Sequence, residues 1–232
     1  MNLYVGTSGY SYPKWKGKFY PKDLPAKGML RYYGEHFRSV ESNSTFRGMP
    51  EADVLKKWTE EVPAEFKFAL KAPQRITHMK RLKDSKEPVS HLFEVAGVLE
   101  GRLGPVLFQL PPNFKKDGSR LEEFLGLLPK TRRAAFEFRH ESWFDEEIFG
   151  LLKKKKVAVC IAEADNDLKV PFVVTADWGY LRLRREDYTD AELRAWVKKV
   201  QKQAWSDVFV YFRHEDTGKG PRFAKRFLEL AA

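Results

Sequence analysis

The sequence predicts a single (β/α)8 TIM-like barrel with parallel strands, occupying residues 1–232 as one domain. Three observations carry this expectation. Eight short apolar or aromatic runs recur along the chain, and most are followed by a stretch with helical spacing. The length of 232 residues suits one large α/β domain, slightly under the usual barrel, which fits short helices. No Gly-rich nucleotide fingerprint follows any strand, which sets the runner-up, an open doubly wound sheet, behind. Gly6-Thr7-Ser8-Gly9 has neither that spacing nor the lysine of a phosphate loop.

The elements follow in order. Leu3 to Val5 reads as a strand running into the turn Gly6 to Gly9. Tyr10 to Pro21 is aromatic and basic without a period, so a packed loop is expected. Lys27 to Phe37 has helical spacing, and Ser39 to Ser42 forms the second strand. Glu51 to Glu60 reads as a helix with Val54, Leu55 and Trp58 on one side. Phe66 to Lys71 alternates as a third strand and enters a basic loop. Val89 to Glu100 is helical, and Pro105 to Leu110 is a fourth strand stopped by Pro111-Pro112. Leu121 to Leu128 is a short helix. The run AAFEFRH, Ala134 to His140, is the fifth and central strand. Glu146 to Lys156 is a helix whose terminal lysines suit its dipole. Val157 to Ile161, Tyr180 to Leu183 and Val208 to Phe212 complete the strands, with helices over Asp190 to Lys202 and Lys219 to Leu230. Little helical pattern follows the sixth strand, so that layer is expected to be irregular.

Composition bounds the class. Cys160 is the sole cysteine, excluding an intramolecular disulfide, and its apolar strand makes it a small core residue. No apolar run reaches the length of a signal peptide or a membrane span, so a soluble cytoplasmic protein without a membrane partner is expected. The net charge of +10 fits nucleic acid, phosphorylated metabolites or a basic surface. It is uneven, because Lys71, Arg75, Lys80, Arg81, Lys83 and Lys86 face only Asp84 in one probable-loop stretch.

A barrel places its chemistry where strands finish. The strand ends carry Thr7 and Ser8, then Glu41 and Asn43, Lys71, Gln109, the Glu137-Arg139-His140 group, Glu163, the alternating Tyr180, Arg182 and Arg184, and finally Tyr211, Arg213 and His214. Alternation puts Lys67 with Lys71, Glu137 with Arg139, and Arg182 with Arg184. Inward charges are costly without partners or a ligand, since barrel interiors are usually apolar layers. A purely structural ion-pair network filling the mouth is the bland alternative. Metal ligation has little support: there is no HExxH or cysteine cluster, and Glu41, Glu137, Glu163 and His140 would have to converge from separate strands. No G-x-S-x-G elbow points to a serine nucleophile, and no motif specifies a cofactor. His36 and His91 read as surface or packing residues.

Several ordered blocks resemble the YecE-like family: Gly6 to Tyr10 with Trp15, Phe19-Tyr20-Pro21, Val40 to Phe46, Phe68 to Ala72 with Ile76-Thr77-His78, Gly104 to Pro112, and Phe136 to His140 with Ser142-Trp143-Phe144. The resemblance runs from Gly6 to about Lys225 and implies a compact TIM barrel without an assigned activity. Arg213-His214 stands where that family commonly carries Asn-Asn, shifting that corner toward anion contact.

Two functions follow. The first is an enzyme, a hydrolase or lyase, acting on an anionic, phosphate-bearing substrate. Glu137 or Glu41 would be the general base and His140 the acid, with Lys71, Arg75, His78, Gln109, Arg139, Trp143, Arg182 and Tyr211 binding the substrate. The second is a non-catalytic nucleic-acid-binding protein, its cations interleaved with Tyr10, Tyr12, Trp15, Phe19 and Tyr20.

Overall fold

Eight strands, all paired in parallel, run around the molecule in the order β1-β8-β7-β6-β5-β4-β3-β2. They are β1 (Asn2–Thr7), β2 (Ser39–Ser42), β3 (Lys67–Lys71), β4 (Leu103–Gln109), β5 (Ala134–Glu137), β6 (Ala158–Glu163), β7 (Trp178–Leu183) and β8 (Asp207–Phe212). Between and after them lie α1 (Met29–His36), α2 (Ala52–Glu60), α3 (Lys86–Ala96), α4 (Gly118–Leu125), α5 (Glu146–Lys154), α6 (Asp190–Gln201) and α7 (Lys219–Ala231). This computed structural model describes residues 1–213 and 217–232. It is the expected (β/α)8 TIM-like barrel, nearly closed. His214 lies outside the described residues.

The seam between β1 and β2 is the thin point of the cylinder. A single bridge, Ser8 to Glu41, joins the two, with the Gly9 amide donating to the Glu41 carbonyl at 2.7 Å. Below it, Tyr33 of α1 replaces the missing ladder. Its hydroxyl accepts from the Thr7 amide at 2.8 Å and donates to the Ser39 carbonyl at 3.1 Å. Gly6 makes the approach possible, because a Cβ there would lie 2.0 Å from the Ser39 carbonyl oxygen.

The apolar residues separate into two layers. Inside the barrel, aromatic side chains from β1, β7 and β8 (Tyr4, Trp178, Tyr180, Phe209, Tyr211) face smaller ones from β3, β5 and β6 (Ala69, Ala135, Ala158, Cys160). This pairing of large with small fills a narrow lumen at native density. Outside, the alternate residues of the strands pack against the helices in two arcs. Caps fix several helix starts: Asp117 and Asp145 accept first-turn amides, and Thr189 with Glu192 forms a reciprocal capping box.

Some elements depart from expectation. The fifth strand stops at Glu137, and a short 3-10 turn, Glu141–Trp143, follows instead of continued pairing. In α2, Leu55 is buried and Val54 exposed, since successive positions are turned about 100° apart and this helix meets the barrel on the Leu55 side. The helix expected to reach Glu100 ends at Ala96 and passes into 3-10 turns. The basic stretch after β3 contains a π-helical turn, Arg75–Met79, closed by Lys80 N–H to Arg75 C=O at 2.9 Å. Three residues beyond it, Arg81, Leu82 and Asp84, have left-handed backbones. As expected, no helix spans the stretch between β6 and β7. Among the described residues, no helix is long and apolar enough to cross a membrane.

Candidate functional site

The strand-end charges meet at the C-terminal mouth. Period two turns Glu41, Lys71, Glu137, Arg182 and Arg184 inward from β2, β3, β5 and β7. Arg182, 3% exposed, bridges the two carboxylates. Its Nη2 donates to Glu41 Oε1 at 2.8 Å and its Nη1 to Glu137 Oε2 at 2.5 Å. Glu41 also accepts from the Ser8 hydroxyl at 2.7 Å and the Tyr180 hydroxyl at 2.6 Å. Glu137 accepts from Gln109 Nε2 at 2.8 Å, Arg184 Nη2 at 2.8 Å and Arg139 Nε at 3.1 Å. Glu137 thus has four donors and is saturated, and Glu41 has three.

Electrostatics follow from this wiring. Burial pushes the Glu137 carboxyl up, but Arg182, Arg184 and Arg139 outweigh it and hold the group well below the usual carboxylate range. Burial and the Glu41 charge push the Tyr180 phenol well above its ordinary value. Lys71 is lowered to about 8 by burial and then by Arg182, with Glu41 and Glu137 offsetting only part. Its ammonium sits 4.0 Å over the ring of Phe46. His78 meets the same ring edge-on, with centroids 4.9 Å apart, and is lowered by burial, Lys71 and Arg139. Beside this group a cavity of about 440 Å3 opens over the ends of β5 to β8. Glu137, Arg139, Asn166, Arg184 and Arg213 line it. Arg184 Nε is buried there without a hydrogen-bond partner among the described residues.

The structure brings together Glu41, Glu137, Lys71, Gln109, Arg139 and Arg182, with His78 alongside. It places other candidates elsewhere. Trp143 is fully buried, stacked on Phe138 and donating Nε1–H to the Phe114 carbonyl at 2.6 Å. Tyr211 is sealed inside the lumen, its hydroxyl 2.6 Å from the Ser39 hydroxyl. Arg75 is exposed and lines a separate groove with Arg47 and His91. Half-buried His140 caps the turn after β5, its Nδ1 accepting from the Ser142 amide at 3.1 Å. Lys67 faces the lumen like Lys71 but at the opposite end, bonding the Gly101 carbonyl. Glu163 points outward, accepting from Trp196 Nε1 at 3.0 Å. In the aromatic loop Trp15 and Tyr20 are buried against each other, Phe19 packs on both, and Tyr10 and Tyr12 are half-buried. Ser8, Tyr180 and Arg184 stood among the strand-end groups without an assigned role, the last two by alternation with Arg182, whereas Phe46 needed the fold.

A larger cavity, of about 680 Å3, lies at the N-terminal end beside Lys130, Arg132 and Lys156. That end of a barrel ordinarily serves stability. Its Arg133 guanidinium pairs with the single carboxylate of Asp207, whereas the mouth joins two buried carboxylates to three guanidiniums, so the mouth is the candidate site. Among the described residues, no group of three or more His, Cys, Asp or Glu side chains could hold a metal ion.

Known proteins agree with this architecture. The chain is 28% identical to the UPF0759 protein YunF of Bacillus subtilis, over 98% of this chain and 94% of that one. It is 29% identical to the UPF0759 protein YecE of Escherichia coli over 61% of this chain and 50% of that one. A DUF72 family protein of Thermotoga maritima superposes with a TM-score of 0.88 at 28% identity, covering 99% of this chain and 98% of the other. A DUF72 family protein of Enterococcus faecalis shares the fold with a TM-score of 0.81 at 20% identity, over 99% and 95% of the two chains. The model of the family described as "Protein of unknown function DUF72" matches residues 4–232, and the chain belongs to that family.

Proposed function

We propose that this barrel is a cytoplasmic enzyme acting on a small phosphate-bearing substrate held at the C-terminal mouth. One observation carries the reading: among the described residues Lys71, Arg139, Arg182 and Arg184 stand with two carboxylates, beside a cavity lined by Arg139 and by Arg184, whose buried Nε has no partner there. An anion between Arg139 and Arg184 would supply the missing acceptor and the missing charge. Glu41 and Glu137 serve in this reading as holders of the guanidiniums. A carboxylate kept ionised by three arginines is a weak base, so the proton-transfer role moves from Glu137 to Lys71 and His78. A nucleic-acid strand is the second reading, favoured by the exposed cations Arg75, Lys83 and Lys86.

Calorimetric titration with inorganic phosphate and pyrophosphate tests the proposal. Binding in the wild type, weakened at least about tenfold in Arg139→Gln, is the expected result, a loss typical of one charge-assisted contact. Absence of binding at low salt overturns it. Salt-sensitive oligonucleotide binding that is lost when Lys80, Arg81 and Lys83 are neutralised favours the second reading.

A further inference from the structure

Among the described residues of the mouth, the Lys71 ammonium takes no part in the carboxylate network. Ser8, Tyr180, Gln109 and three arginines take all four acceptor sites of Glu137 and three of those of Glu41. The Lys71 amine has no hydrogen-bond partner among the described residues and rests on the face of Phe46. Its position is fixed from both sides. Thr45 Oγ1 donates to the Lys71 carbonyl at 2.7 Å and pins the end of β3, and the 3-10 turn Ser44–Phe46 presents the ring. A half-buried amine beside guanidiniums, without a salt bridge of its own, is the arrangement that makes lysine a nucleophile near neutral pH.

We infer that Lys71 forms a Schiff base, and that the substrate is a small aldehyde or ketone whose phosphate lies between Arg139 and Arg184. This rests on the anion-binding reading above. The Lys71 lone pair adds to the carbonyl carbon to give a carbinolamine. The carbonyl oxygen then leaves as water, taking the two protons of the neutral amine, and a proton from solvent converts the imine to an iminium. The iminium nitrogen accepts the electron pair of a bond at the adjacent carbon. When that bond is C–H, its proton passes to the imidazole of His78, which stands on the same Phe46 ring. The reaction class is bond making or breaking next to a carbonyl.

Borohydride trapping tests this on the intact protein. Glyceraldehyde 3-phosphate or unphosphorylated glyceraldehyde is added across a pH series, reduced, and each lysine adduct is quantified by peptide mass mapping. Lys71 is expected to label at least about tenfold faster than exposed Lys155 near pH 8, because burial and the neighbouring arginines lower it to about 8 and the Phe46 ring holds its amine in place. The phosphorylated probe should be preferred, and inorganic phosphate should suppress its adduct. Labelling of Lys71 no faster than Lys155 overturns the Schiff-base assignment, even if phosphate binds. Fast labelling indifferent to both the phosphate group and the competitor retains the nucleophile and overturns the anion site.

Discussion

Glu137 accepts four hydrogen bonds, three of them from guanidiniums, at a position 1% exposed. Removing its charge leaves Arg182 buried with one carboxylate and Arg184 with none. Breaking a buried pair from one side costs about 3–5 kcal/mol, so Glu137→Gln should lower the unfolding free energy by that order. The pH dependence follows from the direction of the shift. The folded carboxyl titrates well below its ordinary value of 4.5, so the unfolded chain binds more protons in that window and stability rises with pH through it. The stabilisation is fully present above the ordinary value and is lost as pH falls through the folded one. Urea unfolding at about pH 7 and about pH 3 should show the gap between wild type and variant shrinking in acid. A gap that stays constant would mean that the ionised carboxylate is not what holds the arginines. At this scale the sequence exposed the charges through alternation, but pairing across β2, β5 and β7 depends on barrel curvature, which no local pattern encodes.

Among the elements, α5 ends in a Schellman motif written with lysines. The Val157 amide bonds the Leu152 carbonyl at 3.0 Å, and the Lys156 amide bonds the Lys153 carbonyl at 3.0 Å. Leu152 and Val157 are both buried beneath the turn. Lys156 adopts φ of 52° there, a conformation costing an L-residue about 1–2 kcal/mol that glycine avoids. Glycine's greater freedom in the unfolded chain returns part of the gain. Lys156→Gly should therefore stabilise the fold by about 0.5–1 kcal/mol, seen as a rise in Tm of about 1–4 °C. A fall in Tm would assign Lys156 a contact that offsets the strain. The lysine run read in sequence as a solvated helix end; the left-handed turn inside it was invisible, because the usual glycine signal is missing. The fifth strand was overextended for a related reason. Phe138 stays packed on the same face as Phe136 after Glu137, so the alternation of faces continues where strand pairing has stopped.

For the whole molecule, closure at the β1–β2 seam is the property on which the mouth depends, since Glu41 belongs to β2 and its partners are Ser8, just past the end of β1, and Tyr180 of β7. The eight-strand alternation made the barrel legible, and Gly6 and Tyr33 were visible as residues, but their joint role appears only when the first strand meets the second. Tyr33 lies wholly buried, and its hydroxyl serves groups on both strands. Tyr33→Phe keeps the ring packing and deletes that oxygen, leaving the Thr7 amide without its acceptor and the Ser39 carbonyl without this donor. An unsatisfied buried group costs about 1–3 kcal/mol, so the variant should lose stability in that range. The loss should also be local. Hydrogen exchange of the Thr7 amide should accelerate more than that of amides in the β7–β8 ladder, because the seam opens below the energy of global unfolding. Equal acceleration at both places would show that the seam unfolds only with the whole barrel, and the mouth would then be as rigid as the lumen beneath it.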